Sequence, residues 1–166
     1  MNAALSRYAV EQEKISGDQQ RLDSTVYEVA IHYPTDSSLL WDSFRTLARL
    51  VGQTRKDLPE LGLDHRFHIR KVKKLHTFIS RNAASKSKKT QRRIKQTYRD
   101  LIGKVRWIHG VGTEVLQKAL AQGYDVPSLV HYLPLVARII DQADRRVLQG
   151  ESVPRDEKLY SLFEEH

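Results

Sequence analysis

The sequence of 166 residues contains no cysteine, which excludes disulfide bonds and thiolate metal sites and fits a reducing cytosol. No uninterrupted apolar run approaches the roughly 18 residues that a membrane-spanning helix needs, so no membrane partner is expected. The N-terminal segment MNAALSRYAVEQEK also lacks the apolar core of a signal peptide. We therefore expect a cytoplasmic protein.

Several sequence patterns that indicate particular chemistries are missing as well. There is no phosphate-binding Gly-Lys-Ser/Thr loop, no nucleophile elbow and no dinucleotide-binding fingerprint. Seven histidines are present, but none forms a pair with clear ligand spacing on a strong helix. A zinc site is therefore disfavoured.

Acidic residues are scarce between Arg66 and Arg106, where fifteen Lys and Arg stand against Asp100 alone. The rest of the chain holds 13 Lys and Arg against 19 Asp and Glu, so the formal charge of +8 conceals a strongly basic segment. A positive charge concentrated in this way is a candidate footprint for a polyanion, whereas an even distribution would indicate only solubility.

The densest part of this basic segment predicts contacts with DNA phosphates. The predicted contact residues are Lys86, Lys88, Lys89, Arg92, Arg93, Lys95 and Arg99. Such contacts give affinity and a steep dependence on salt without recognising bases. The competing interpretation is that the run is a solvated helix face.

Apolar residues spaced by three and four predict that most of the chain is helical. We expect helices from Asn2 to about Lys14, from the Pro34 break to about Val51, and from Ile69 toward Ser80. Two more are expected, one starting near Lys88 and one that follows Pro127 and ends at Gly150. Gly52 is the expected stop of the second helix, and residues 53–64 are expected to form a loop.

The triplet Gly110-Val111-Gly112 predicts a kink or a break in the helix that starts near Lys88. A Gly-x-Gly turn of a helix-hairpin-helix motif is the alternative, but His109 replaces the usual Pro and Leu116 stands where a small residue is normal. Trp41 and Trp107 are expected to be core or half-buried residues.

Between Gln20 and Tyr33 the period changes to two, and β-branched and aromatic residues predict a strand. Asp23 lies inside this run, where a carboxylate is disfavoured unless it faces water or a cation. It is either a solvent-exposed residue of a strand edge or a ligand of Mg²⁺, which prefers oxygen ligands. A lone strand cannot satisfy its own hydrogen bonds, and Lys158–Phe163 is the best, weak candidate for a second strand.

Two further carboxylates near this strand have simpler explanations than metal binding. Thr35 or Asp36 can cap the following helix by accepting a backbone N–H. Asp42 is expected to face solvent on the side of that helix opposite Phe44.

The segment LDSTVYEVAIHYPTDSSLLWDSFRTLARLV, followed after the basic helices by RDEKLYSLFEEH, resembles the DDE-type transposases of bacterial insertion sequences. Among them it is most similar to the group labelled ISNCY. In that family the Asp of a D-[ST]-T strand is the first of three catalytic acids on a ribonuclease-H-like sheet. The resemblance implies that Asp23 is a catalytic residue and metal ligand, with Mg²⁺ as the cofactor of the complete parent protein. It also implies DNA at insertion-sequence ends, and further copies of the parent protein, as partners.

By the family pattern, the second catalytic Asp and the final Glu would lie beyond His166, so we expect an internal piece of such a protein. The implied fold is mainly α, with one or two strands left from a ribonuclease-H-like α/β core. Residues 1–36 would be part of that core, residues 37–150 a basic helical insertion, and residues 151–166 a tail leading toward the rest of the core. The alternatives are a stand-alone basic helical module that binds DNA or protein, and a decayed element that folds poorly.

We predict that the purified chain shows no Mg²⁺-dependent nicking of DNA, because one carboxylate cannot hold the two metal ions of a phosphoryl-transfer site. The measurement is conversion of supercoiled plasmid to open circle with and without Mg²⁺. Clear nicking that disappears in Asp23→Asn would show that the chain carries a complete active site and contradict the prediction.

Overall fold

A computed structural model describes residues 35–163, and within them the chain forms four α-helices joined by short connections. The helices are α1 (Asp36–Asp57), α2 (Ile69–Asn82), α3 (Lys88–Ala121) and α4 (Pro127–Ala143). A 3₁₀ turn, Pro59–Leu61, follows α1, and a π-helical segment, Asp144–Gln149, continues α4. The described residues belong to one compact unit. The predicted helix at residues 2–14 and the predicted strand at residues 20–33, with Asp23, lie outside them.

The expectation of a mainly helical fold is confirmed in the part of the chain that the structure describes, where no strand is present. The weak strand prediction for Lys158–Phe163 is wrong, because this segment has no regular secondary structure. The side chain of Gln142 makes the backbone hydrogen bonds there that a neighbouring strand would make. Its Oε1 accepts from the Leu159 N–H at 2.8 Å, and its Nε2 donates to the Leu159 carbonyl at 3.3 Å.

The helix α1 begins where the sequence predicts and ends later. Thr35 is its N-cap, and the Thr35 hydroxyl accepts from the Ser38 N–H at 3.3 Å. The predicted stop at Gly52 is wrong, since the helix continues to Asp57 and part of the expected loop is helical. Val51 and Thr54 remain buried on either side of Gly52, so core packing outweighs the roughly 0.5–1 kcal/mol that a glycine costs inside a helix.

The two central helices are α1 and α3, each of which packs against the other three helices. With 34 residues, α3 is about 50 Å long at 1.5 Å per residue. In the described unit α2 and α4 do not contact one another, so they flank the central pair separately. The core consists of apolar side chains at spacings of three and four, and its largest fully buried members are Leu40, Phe44, Leu47, Leu101, Ile102, Ile108, Leu129 and Ile139.

The helix α3 is continuous through Gly110-Val111-Gly112, so a break at this triplet is wrong and there is no Gly-x-Gly turn for a helix-hairpin-helix motif. The two glycines have different surroundings. A Cβ added at Gly112 would lie 3.0 Å from Cδ2 of Leu133 in α4, whereas one added at Gly110 would meet nothing within 4 Å. Gly112 is therefore a point of close approach between α3 and α4.

The last helical region ends at Gly150, as predicted, where a left-handed conformation (φ 77°) lets the glycine N–H bond to the Arg145 carbonyl. Residues 151–163 then return along α4. Arg145 bonds Glu151 at 2.9 Å and Glu157 at 2.8 Å, and Val153 and Leu162 are buried. Ionic and apolar contacts together hold this tail segment in place.

The contrast between the two glycines gives a prediction about stability. Gly110→Ala should raise the free energy of unfolding by about 0.5–1 kcal/mol, because alanine loses less backbone entropy in an exposed helix position. Gly112→Ala should be less stable than Gly110→Ala by about 1 kcal/mol or more, because Leu133 must shift to admit the methyl group. Urea denaturation of both variants measures the difference, and equal effects would contradict the close approach of α3 to α4.

Candidate nucleic-acid interface

The structure places all fifteen cations of the basic segment in solvent-exposed positions on α2, α3 and the connections beside them. They include each of the predicted contact residues, Lys86, Lys88, Lys89, Arg92, Arg93, Lys95 and Arg99. The remaining members are Arg66, Arg70, Lys71, Lys73, Lys74, Arg81, Lys104 and Arg106. We call these fifteen residues together the basic surface.

Part of the basic surface is a row along α3. Lys88, Arg92, Lys95 and Arg99 follow one another at steps of four, three and four residues, which places them on one side of the helix. Ile94, which lies off this row, is buried in the core. The row extends over about 16 Å of helix axis, a length comparable to several phosphates of a DNA strand.

The other part of the basic surface lies on α2. Arg70, Lys73, Lys74 and Arg81 line an open groove of about 570 Å³ that also includes Phe78. The guanidinium carbon of Arg93, on α3, lies 4.7 Å from the centroid of the Phe78 ring, a cation–π contact. This contact joins the cations of the two helices into one continuous surface.

The α2 cations were missing from the predicted contact residues. They contribute to the charge excess of the segment, which is the signal that could have identified them. Along the sequence they alternate with the buried positions Val72 and Ile79, so they form no uninterrupted run. Only the fold shows that they lie beside the cations of α3.

Most of the basic surface lacks ionic partners. Arg106 pairs with Asp144 at 3.2 Å, and among residues 35–163 no other member of the basic surface lies within 4.0 Å of a carboxylate oxygen. Asp100, the single acid of the segment, instead accepts from the Gln96 amide at 3.2 Å. Fourteen positive charges are thus left without a neutralising group from the described residues.

Some cations elsewhere in the described unit do have such partners. Arg145 contacts three carboxylates, and its hydrogen bonds to Glu151 and Glu157 raise the pKa of its guanidinium. Arg45 pairs with Asp42 at 2.9 Å. These carboxylates therefore neutralise cations outside the basic surface.

The ends of the helices add to the positive potential. The first turn of α3 contains Lys88 and Lys89 and no acid, and its N-cap residue, Ser87, makes no side-chain capping bond. The first turn of α2 likewise contains Arg70 and Lys71 and no acid. Cations at a helix N-terminus oppose the helix dipole and destabilise the helix, so helix stability does not explain their position.

The carboxylates near the predicted strand have protein partners. Asp36 is the first residue of α1 rather than its cap, so the prediction that Asp36 caps the helix is wrong and Thr35 has that role. The Asp36 carboxylate instead accepts from Arg146 at 2.8 Å and from Gln142 at 3.4 Å. Asp42 keeps 32% of its side chain exposed and pairs with Arg45 in a surface ion pair.

No group of three His, Asp or Glu side chains within residues 35–163 is arranged to hold a metal ion. Two of the histidines contact backbone carbonyls. His76 Nδ1 lies 3.1 Å from the Ser37 carbonyl and His109 Nε2 lies 3.2 Å from the Leu133 carbonyl. Asp23, the predicted Mg²⁺ ligand, lies outside the described residues.

Comparisons with known proteins add no relative. No protein family, no curated protein and no solved structure matches this chain. Within residues 35–163, no helix has the length and apolar character needed to cross a bilayer.

The two ends of α3 give a prediction about stability, in which a substitution at one end is the control for the same substitution at the other. Lys89→Glu should raise the free energy of unfolding by about 0.5 kcal/mol, because it replaces a cation with an anion at the helix N-terminus. Lys118→Glu should lower it by a similar amount, because this cation lies near the C-terminus and bonds Glu114 at 2.7 Å, which lowers the pKa of Glu114.

Thermal unfolding followed by circular dichroism at low and high salt measures both effects. Both changes in the free energy of unfolding should become smaller at high salt, because salt screens the charges. A destabilising effect of Lys89→Glu would indicate that this lysine supports the fold, contrary to the prediction.

Proposed function

We propose that the described helical unit binds the phosphate backbone of DNA through the basic surface. The observation that carries the proposal is the set of fourteen exposed cations without a carboxylate partner among the described residues. A concentrated, unneutralised positive surface attracts polyanions because binding releases their condensed counterions.

The distribution of the cations favours a long polyanion over a small anionic ligand. The charges extend along α3 and across α2, and none of the cations on them is buried. A site for a small anion normally surrounds its ligand with buried polar groups, whereas a phosphate backbone requires an extended and exposed surface. Contacts of this kind position a protein on DNA without recognising sequence.

The resemblance to DDE transposases gives this binding a role. We infer that the chain is a piece of such a protein, whose parent activity is Mg²⁺-dependent DNA cleavage and strand transfer. The helical unit would hold DNA while Asp23 and the other two catalytic acids of the family pattern bind the metal ions. This part of the proposal rests on the resemblance of LDSTVYEVAIHYPTDSSLLWDSFRTLARLV and RDEKLYSLFEEH alone.

A second candidate is a stand-alone DNA-binding module without a catalytic role. The core within residues 35–163 favours it, since all four helices contribute buried apolar residues to one cluster. Binding measured on the isolated chain is expected under both interpretations. Preference for the ends of an insertion sequence over other duplexes would favour the transposase interpretation.

We predict that duplex binding weakens steeply with salt and that the slope depends on the basic surface. Replacing Lys88, Lys89 and Arg92 with glutamine should reduce the slope of log K against log salt by about two to three, since each lost phosphate contact contributes about 0.9. Fluorescence anisotropy of a labelled duplex at four salt concentrations measures the slope.

The matched control replaces Arg49, Arg55 and Lys56 with glutamine. These three residues are exposed on α1 and outside the basic surface, and their replacement removes the same net charge. If both triple variants reduce the slope equally, net charge alone governs binding and the proposed surface is wrong. A wild-type slope near zero would remove the DNA-binding proposal altogether.

A further inference from the structure

A second open groove of about 610 Å³ lies between α2 and α3, and its aromatic residue, Trp107, is exposed, whereas Phe78 in the first groove is half-buried. Apolar groups form much of it, namely Val72 and Leu75 from α2 and the ring of Trp107 from α3. Lys71, Arg99 and Lys104 carry the positive charges around these groups. The groove therefore combines an aromatic surface with cations, which a plain phosphate-binding surface does not need.

Trp107 is the distinctive member of this lining. It is 42% exposed, contrary to the expectation of a core or half-buried residue. Phe67 lies against it at 6.2 Å between ring centroids, tilted by 58°. Trp41, in contrast, is half-buried and stacks on His76. Packing in the core therefore does not explain why a tryptophan stands at position 107.

Gly103 leaves open space inside the groove, and Asp100 contributes a negative charge to it. A Cβ added at Gly103 would meet no atom within 4 Å, so the groove is open at this residue. Asp100 is the one acid among the lining residues. Its negative charge disfavours a phosphate inside the groove, while a neutral, flat group is compatible with it.

We infer that this groove binds an unpaired base of a DNA strand, with the base stacked on Trp107 and the adjoining phosphates on Lys71, Arg99 and Lys104. The inference rests on the proposed DNA binding and adds a preference for single-stranded DNA at this site. A paired base is already stacked between its neighbours, so only an unpaired strand can offer a base face to the indole. The alternative occupant is an acidic protein segment, which has negative charges but no nucleobase to stack on Trp107.

The first test compares two ligands on the same protein. A labelled 12-residue thymidine oligomer and a 12-base-pair duplex are titrated by fluorescence anisotropy at one salt concentration. Trp107→Ala should weaken binding of the thymidine oligomer about tenfold, as expected for the loss of one base–aromatic stack, and change duplex binding less than twofold. Trp107→Phe should retain most of the affinity, because phenylalanine keeps an aromatic face.

The second test removes the base instead of the indole. An abasic oligomer of equal length keeps all the phosphates, so wild type should bind it about as weakly as Trp107→Ala binds the thymidine oligomer. Combining the two changes should cause no further loss, because both remove the same contact.

A third variant tests the groove without touching its cations or its tryptophan. Gly103→Leu places a side chain in the open space and should weaken binding of the thymidine oligomer several-fold, while Gly103→Ala should have little effect. A cooperative thermal transition in both variants verifies that they fold.

The outcomes separate this inference from the proposed function. Salt-dependent duplex binding with no effect of Trp107→Ala on the thymidine oligomer would overturn the groove and leave DNA binding in place. Equal affinity of wild type for the thymidine and abasic oligomers would also overturn it, because the base would then contribute nothing to binding. No binding to either DNA would overturn both proposals.

Discussion

The structure of the helical unit depends on apolar contacts that hold two positively charged helices together. Helices α2 and α3 both carry unpaired cations, and these charges repel one another across their interface. Only Val72 and Ile79 of α2 are buried, against a much larger set from α3. The packing of these two side chains and of the partly buried Leu75 and Phe78, with the Arg93–Phe78 contact, has to outweigh the repulsion. The stability of α2 therefore depends on the surrounding charge.

This balance also explains why the basic surface is better understood as a binding surface than as a stabilising one. The carboxylates that could neutralise it contact Arg45, Arg145 and Arg146 instead. The helix N-termini that carry lysine and arginine would be more stable with acidic residues. A polyanion bound across α2 and α3 would supply the missing negative charge and stabilise the folded unit by mass action.

The sequence predicts the helices well because their signal is local. Apolar residues at spacings of three and four locate all four helices, and the end of the last one at Gly150. Glycine was the main source of error. Gly52 predicts a helix stop and the Gly110-Val111-Gly112 triplet a kink or break, yet each glycine costs only a fraction of what the buried neighbours Val51 and Val111 contribute through packing.

The candidate site was only partly predictable for a different reason. The segment from Lys86 to Arg99 is visible in the sequence as a dense cluster of seven cations, but only the fold shows that the α2 cations lie beside it. The partner of Asp36 is Arg146, 110 residues away, and no local pattern announces such a pair. The exposure of Trp107 is likewise a tertiary property, because its spacing along α3 fits a buried residue as well as an exposed one. The catalytic role proposed for Asp23 rests on sequence resemblance alone.

The Arg106–Asp144 pair has a consequence for how this unit meets a partner. It lies where the basic surface on α3 meets the π-helical segment, beyond which Glu151 and Glu157 follow. The basic surface thus lies on one side of this ion pair, whereas Glu151 and Glu157 on its other side are paired with Arg145, and this uneven distribution of charge gives the unit an electric dipole. In the field of a polyanion such a dipole experiences a torque, so the unit turns its cationic side forward before contact. Long-range orientation of this kind raises the fraction of productive encounters and makes the association rate, as well as the affinity, sensitive to salt.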